Sequence, residues 1–273
     1  LTVREDPQEL EVARIGDLDV AYRGTGDGPP VVFIHGLAQD HRMWAHQQRD
    51  LADFRTIAYD VRGHGRTSLG DPEGTLAQLG QDLIGVLERF GAATCVGFSL
   101  GGTVALWAAA DRPELVPEVV AIATSSVVGR AAAGFFADRI DLFAGEDDEA
   151  VRVALTEDTR AQMATPEADA EAIVAVRLEA IGDRRGYLNG ARAMAALNGD
   201  PLNDRLTQVS APVLVVGGEC DRVCPRRAAE IMLEYIPDGR FEELAGVGHL
   251  VTDEDPDALT AVLRAWLLRG DGQ

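Results

Sequence analysis

The sequence predicts an α/β protein built on a mostly parallel sheet, and three observations lead there. Short uninterrupted apolar runs recur along the chain, as in Val31-Val32-Phe33-Ile34, and strands buried on both faces read that way. Helical patterns of about 10–15 residues separate these runs, the alternation expected of right-handed βαβ crossovers. The length, 273 residues, suits one such domain with an elaboration.

The elements follow in order. Residues 11–15 and 18–24 form a strand pair turning at Gly16-Asp17, and the run 31–34 begins after Pro29-Pro30. A helix over 42–53 leads to Arg55-Thr56-Ile57-Ala58-Tyr59, which repeats the buried-strand pattern. Over 75–90, Leu76, Leu79, Leu83, Val86, Leu87 and Phe90 fall at helical spacing, and Gly91 is placed to end the helix. The strand 94–98 runs into a helix over 100–110, and Val119 to Ala123 forms the next strand. From about Ser125 to Val209 the rhythm changes to an Ala-rich, acidic, helical pattern without a convincing strand. Alternation resumes with the strand 213–216, a helix near 225–235, a strand at 240–244 and a closing helix at about 256–268. The division expected is a core of residues 1–125 and 210–273 with a helical cap over 126–209.

Composition narrows the function. Hydrophobic content of 46% with 26% charged residues is that of an ordinary globular protein, which excludes disorder as the main state. No stretch approaches the roughly 20 apolar residues that a membrane-spanning helix needs. The net charge is −20, and all 25 basic side chains are Arg. Such a surface repels phosphate backbones, so neither nucleic acid nor membrane is an expected partner. Salt adaptation and a G+C-rich genome both fit the missing lysine. Cys95, Cys220 and Cys224 show no framework spacing, so free thiols, or at most one local disulfide, are expected. The stretch Leu1 to Glu11 is charged and has no apolar h-region; no signal peptide and a cytoplasmic location are expected. Nothing in the sequence speaks to oligomeric state.

The chemistry concentrates at Gly97-Phe98-Ser99-Leu100-Gly101-Gly102, where a buried strand meets a helix. A serine thrust out at so sharp a turn needs glycine two residues to either side, because side chains there would collide. Serine is a poor nucleophile without a base, and the base needs an orienting acid. Of five histidines, His249 stands out in the loop Gly246-Val247-Gly248-His249-Leu250 after a predicted strand. Asp221 fills the acid's place after the strand 213–216, and Glu219 is its near rival. The chain order Ser, Asp, His is that of a nucleophile-elbow hydrolase.

These segments together resemble the α/β-hydrolase family over essentially the whole chain. His35-Gly36-Leu37-Ala38 is similar to its oxyanion loop, and Asp60-Val61-Arg62-Gly63-His64-Gly65-Arg66-Thr67-Ser68 to its D-x-R-G-x-G-x-S turn. Gly218-x-x-Asp221-x-x-x-Pro225 and His249-x4-Glu254-x-Pro256 resemble its acid and histidine segments. The resemblance implies an eight-stranded sheet with one antiparallel strand, flanked by helices, and a helical cap after the sixth strand. It also implies Ser99 as nucleophile, His249 as base, Asp221 as orienting acid, and the backbone N–H groups of Leu37 and Leu100 as oxyanion donors.

His41-Arg42-Met43-Trp44 resembles the corresponding segment of enol-lactonases and small carboxylesterases in this family. The expected substrate is a small ester or lactone, with no cofactor and no metal. Trp44 and Phe98 are candidate substrate contacts, with core packing the alternative for Phe98. An acidic lactone would need a cap cation, for which Arg130, Arg139, Arg177, Arg184 and Arg192 are equal candidates. His35, Asp60 and Arg62 are expected to brace their loops, and His64, between two glycines, to be exposed. A carbon–carbon bond hydrolase, a cofactor-free perhydrolase, a cyanohydrin lyase and a non-catalytic binding module are the other readings of the same residues.

Overall fold

The computed structural model describes residues 10–165 and 169–269, so the expectation for Leu1 to Glu11 lies almost wholly outside the described residues. The strands are β1 (Glu11–Ile15), β2 (Leu18–Thr25), β3 (Pro30–Ile34), β4 (Arg55–Tyr59), β5 (Thr94–Phe98), β6 (Val119–Ile122), β7 (Val213–Gly218) and β8 (Gly239–Leu244). They form one sheet in the order β1-β2-β4-β3-β5-β6-β7-β8. β2 pairs antiparallel with both neighbours, and the pairs from β4 to β8 are parallel. The helices are α1 (Ala45–Asp50), α2 (Leu76–Phe90), α3 (Leu100–Asp111), α4 (Arg130–Ala144), α5 (Asp148–Gln162), α6 (Ala170–Ile181), α7 (Arg185–Ala196), α8 (Asn203–Leu206), α9 (Arg226–Leu233), α10 (Val251–Glu254) and α11 (Pro256–Leu267).

The apolar runs are continuous because the central strands bury both faces. Val32, Ile34, Cys95, Ala121 and Val215 pack with α2, α3 and α9 on one side. Val31, Phe33, Val96, Val120 and Val216 pack with Trp44, Leu51 and α11 on the other. β8, at the sheet edge, instead alternates exposure along most of its length.

One expected helix comes out differently. The stretch 42–53 forms a 3₁₀ turn over His41–Trp44 and then the short α1. The Asp40 carboxylate accepts from the Arg42 N–H and caps that turn, and the chain leaves α1 at Leu51. α10, directly after His249, has no apolar period long enough to be foreseen.

Helices α4 to α8 fill the sequence between β6 and β7, where a cap is expected. They have a small core of their own, in which Phe143, Val151, Leu155, Ile181 and Tyr187 enclose Ala38 from the loop after β3. Hydrogen bonds from Gly65 N to Ala180 O (2.8 Å) and from Gly74 N to Asn189 Oδ1 (2.7 Å) fasten them to the loops after β4. They therefore cover the carboxyl ends of the parallel strands, where open α/β sheets bind ligands.

Candidate active site

Ser99 follows β5 with φ 50° and ψ −115°, a conformation that costs a non-glycine residue about 1–3 kcal/mol. Its surroundings hold it there. The Ser99 amide donates to Ile122 O (2.8 Å), and its carbonyl accepts from Thr124 Oγ1 (2.6 Å) and Gly102 N (3.0 Å). The flanking glycines are steric requirements: a Cβ on Gly97 would stand 2.2 Å from Gly101 O, and one on Gly101 would stand 2.3 Å from Ile34 O. Leu100 opens α3, so its amide has no partner four residues back within the helix.

The loops after β7 and β8 bring Asp221 and His249 together. His249 Nδ1 and Asp221 Oδ2 are 2.8 Å apart, and both residues are buried. The other carboxylate oxygen, Oδ1, accepts from the amides of Val223 (2.7 Å) and Cys224 (2.9 Å). Burial opposes the charge on Asp221, but the His249 hydrogen bond and these amides outweigh it and hold the carboxyl below its ordinary range. With Nδ1 engaged by the carboxylate, Nε2 is the nitrogen left for a proton acceptor's task. Glu219, the rival acid, instead accepts from Gly246 N (2.8 Å).

Glu254 explains the spacing after the histidine. Its carboxylate accepts from Gly248 N (3.1 Å) on one side, and from Ala164 N (2.7 Å) and Thr165 N (2.9 Å) on the other. It thereby joins the histidine loop to the end of α5. The His249 amide adds a second tie, donating to Gln162 O at 2.7 Å.

Beneath the Leu37 loop, His35 is fully buried. Its Nδ1 donates to Gly36 O (2.8 Å) and its Nε2 accepts from Val61 N (2.8 Å), so the neutral ring staples the loops after β3 and β4. Asp60 accepts from His41 and from the Arg66 amide (2.8 Å), while Arg62 bridges Asp17 and Asp82; both brace the turn. His64 is not exposed as its glycine neighbours led us to expect: it is 1% exposed, because Gly63 lets α7 approach closely. The Cα of Gly186 lies only 2.6 Å from where a Cβ on Gly63 would be.

A cavity of about 70 Å³ joins these elements, lined among others by Leu37, Phe98, Ser99, Leu100, Tyr187 and His249. That is far below the roughly 300–1,000 Å³ of a drug-sized ligand site, and fits a short acyl group. Phe98 both lines the cavity, its ring 5.1 Å from that of His249, and belongs to the core. Trp44 is a correction: it is absent from the cavity wall, fully buried, and stacked on Phe33 at 4.8 Å within the core. The cap's contribution to the wall, including Leu155, Gln162, Arg177 and Tyr187, carried no sequence signal that singled it out, because it depends on how α5 to α7 pack.

Two groups of potential metal ligands occur among the described residues, Asp40–His41–Asp60 and His46–Asp50–Asp257. In the first, Arg42, His41 and the Arg66 amide already occupy the carboxylates. The second is a surface cluster, and neither lines the cavity. Cys95, Cys220 and Cys224 are free thiols. No helix among the described residues is long and apolar enough to cross a membrane.

A family model for the alpha/beta hydrolase fold matches residues 29–256. The chain is 27% identical over 258 residues to 3-oxoadipate enol-lactonase 1 of Acinetobacter baylyi, with 92% of each chain covered. It is 26% identical over 268 residues to pyrrolizixenacetamide deacetylase of Xenorhabdus hominickii, covering 96% of this chain and 99% of that one. Among solved structures, the enol-lactonase from Burkholderia xenovorans matches with a TM-score of 0.83 at 24% identity, covering 94% of this chain and 99% of that one.

Proposed function

Because the chain belongs to the alpha/beta hydrolase fold family, we propose that it hydrolyses ester or lactone bonds through Ser99, His249 and Asp221 by way of an acyl-enzyme. The observation that carries this reading is the 2.8 Å contact of His249 Nδ1 with Asp221, in the same cavity as a serine held at φ 50°.

Ser99 Oγ attacks the substrate carbonyl carbon and gives its proton to His249 Nε2. The amides of Leu37 and Leu100 take up the charge that develops on the carbonyl oxygen, each such donor being worth about 10²–10³ in turnover. The carbon–oxygen bond to the leaving group then breaks, and Nε2 returns the proton to the departing oxygen. Water adds to the acyl-enzyme by the same route and regenerates Ser99. In a lactone the leaving oxygen stays tethered, so the product is a hydroxy acid, or, from an enol lactone, an enol acid that tautomerises to the keto acid. Asp221 keeps Nε2 in the accepting tautomer and stabilises the imidazolium. Phe98 forms a wall of the acyl site, and residues 126–209 act as a cap on a core of 1–125 and 210–273.

The test is steady-state hydrolysis of p-nitrophenyl esters of increasing acyl length by the wild type and Ser99→Ala. Turnover should vanish in the variant and favour short acyl chains in the wild type. Undiminished hydrolysis by folded Ser99→Ala would sink the assignment.

A further inference from the structure

Of the five candidate cap arginines, the structure distinguishes one. Arg130 and Arg192 are exposed. Arg139 gives Nε and Nη2 to Asp158 at 2.7 and 2.6 Å, and Arg184 pairs with Asp148 at 3.2 Å. Arg177, on α6, is 6% exposed and lines the cavity with Ser99 and His249.

Arg177 has no carboxylate within ion-pair distance among the described residues. Its Nη1 is held by two neutral acceptors, Thr159 Oγ1 at 2.8 Å and Gln162 Oε1 at 3.0 Å. The Thr159 hydroxyl spends its proton on Leu155 O (2.7 Å), so it can only accept from the guanidinium. Arg177 Nε is buried without a partner, and Nη2 makes no hydrogen bond among the described residues. The nearby carboxylates act on it only at longer range, and Asp158 is already engaged by Arg139.

This arrangement is costly unless something completes it. Burial opposes the charge, yet a guanidinium does not release its proton, so the pocket holds a desolvated cation with no carboxylate in contact. The unpaired Nε–Nη2 edge is the side of arginine that matches the two oxygens of a carboxylate. Tyr187, also on the cavity wall, has a hydroxyl without a partner among the described residues, and burial keeps it protonated as a donor.

We infer that Arg177 anchors a carboxylate carried by the substrate, so that the enzyme selects small esters or lactones bearing a free carboxylate. The inference rests on the serine-hydrolase reading above: the carbonyl sits at Ser99 while the carboxylate sits on the Nε–Nη2 edge, with Tyr187 as a further donor. A cavity of about 70 Å³ leaves room for only a short spacer between them.

The test compares kcat/KM for monomethyl succinate with that for methyl pentanoate, its neutral counterpart of similar length. The wild type should prefer the anion, and Arg177→Met should lower the anion-to-neutral ratio by about 10–100-fold, chiefly through KM. Arg177→Lys should recover part of the ratio, and Arg192→Met, which removes an exposed cap arginine, should leave it unchanged. In parallel, calorimetry should show succinate binding to Ser99→Ala, lost in Ser99→Ala/Arg177→Met, with succinamide not binding to either. An unchanged ratio in Arg177→Met, or equal succinate binding with and without Arg177, overturns the inference while leaving Ser99 in place. Arg177-dependent succinate binding without turnover of any ester overturns the hydrolase reading instead and keeps the anion site. Should Arg177→Met not fold, the wild type decides: succinate should compete with methyl pentanoate and succinamide should not, and no competition by succinate overturns the inference.

Discussion

Lowering the pH from 7 towards 4 should destabilise this protein through a histidine that takes no part in the chemistry. His64 is 1% exposed, its Nδ1 donates to Arg62 O at 3.2 Å, and its Nε2 is buried without a partner. Burial, with a smaller contribution from the neighbouring His35 ring 5.3 Å away, moves its pKa from 6.5 down to about 4. The unfolded chain therefore takes up this proton at a higher pH than the folded one. The stabilisation from keeping His64 neutral is complete above pH 6.5 and is lost as pH falls towards 4. The loss amounts to about 2 kcal/mol by pH 5 and about 3 kcal/mol by pH 4. His35, whose pKa burial also lowers, adds to it with the same sign. Urea denaturation of the wild type and His64→Asn between pH 7 and 4.5 measures this directly. The variant starts less stable because packing is disturbed, but its stability should depend less on pH by about 2 kcal/mol at pH 5. Parallel pH dependences would refute the assignment. Because His64 and Leu37 both pack around Gly190, acid inactivation should include a conformational component that His64→Asn reduces.

Three further outcomes are expected. Trp44→Ala should cost about 3–5 kcal/mol of stability and leave KM for a short ester unchanged, since the ring packs on Phe33 and not on substrate; a raised KM without destabilisation would restore it to the pocket. Glu254→Gln turns an amide NH₂ towards N–H groups that now donate to a carboxylate, and should cost about 1–3 kcal/mol in urea denaturation while lowering turnover. With a net charge of −20, the surface repels an anionic substrate, so raising ionic strength should increase kcat/KM for monomethyl succinate and not for methyl pentanoate; equal salt responses would count against an anionic substrate.

What the sequence made legible was whatever local physics dictates. Apolar runs marked the strands β3 to β7 because burial on both faces leaves no room for alternation, and the glycines around Ser99 marked the elbow because backbone atoms stand where their Cβ atoms would be. Asp221 and His249 were legible from strand-end position and chain order, which the sheet topology turns into proximity. Trp44 and His64 misled for one shared reason. Each sits beside loop residues with a site-like pattern, but its burial is decided by segments far away in sequence: Phe33 and α11 for Trp44, the cap residues near Gly186 for His64.

The same logic explains why composition could not choose among the cap arginines. An arginine's role depends on whether a carboxylate reaches it, and in a chain with 45 acidic residues most of them find one. Asp158 and Asp148 neutralise Arg139 and Arg184, while the acceptors that meet Arg177 are a threonine and a glutamine. In so acidic a protein a buried arginine left among neutral partners is the unusual outcome, and it lies on the wall of the cavity that holds Ser99. The Gln162 side chain that steadies Arg177 belongs to the residue whose carbonyl accepts from the His249 amide. One end of α5 thus sets the position of the anion-binding edge and of the histidine loop together. Shifting α5 should therefore disturb charge selection and turnover at once, whereas changing Arg177 alone should separate them.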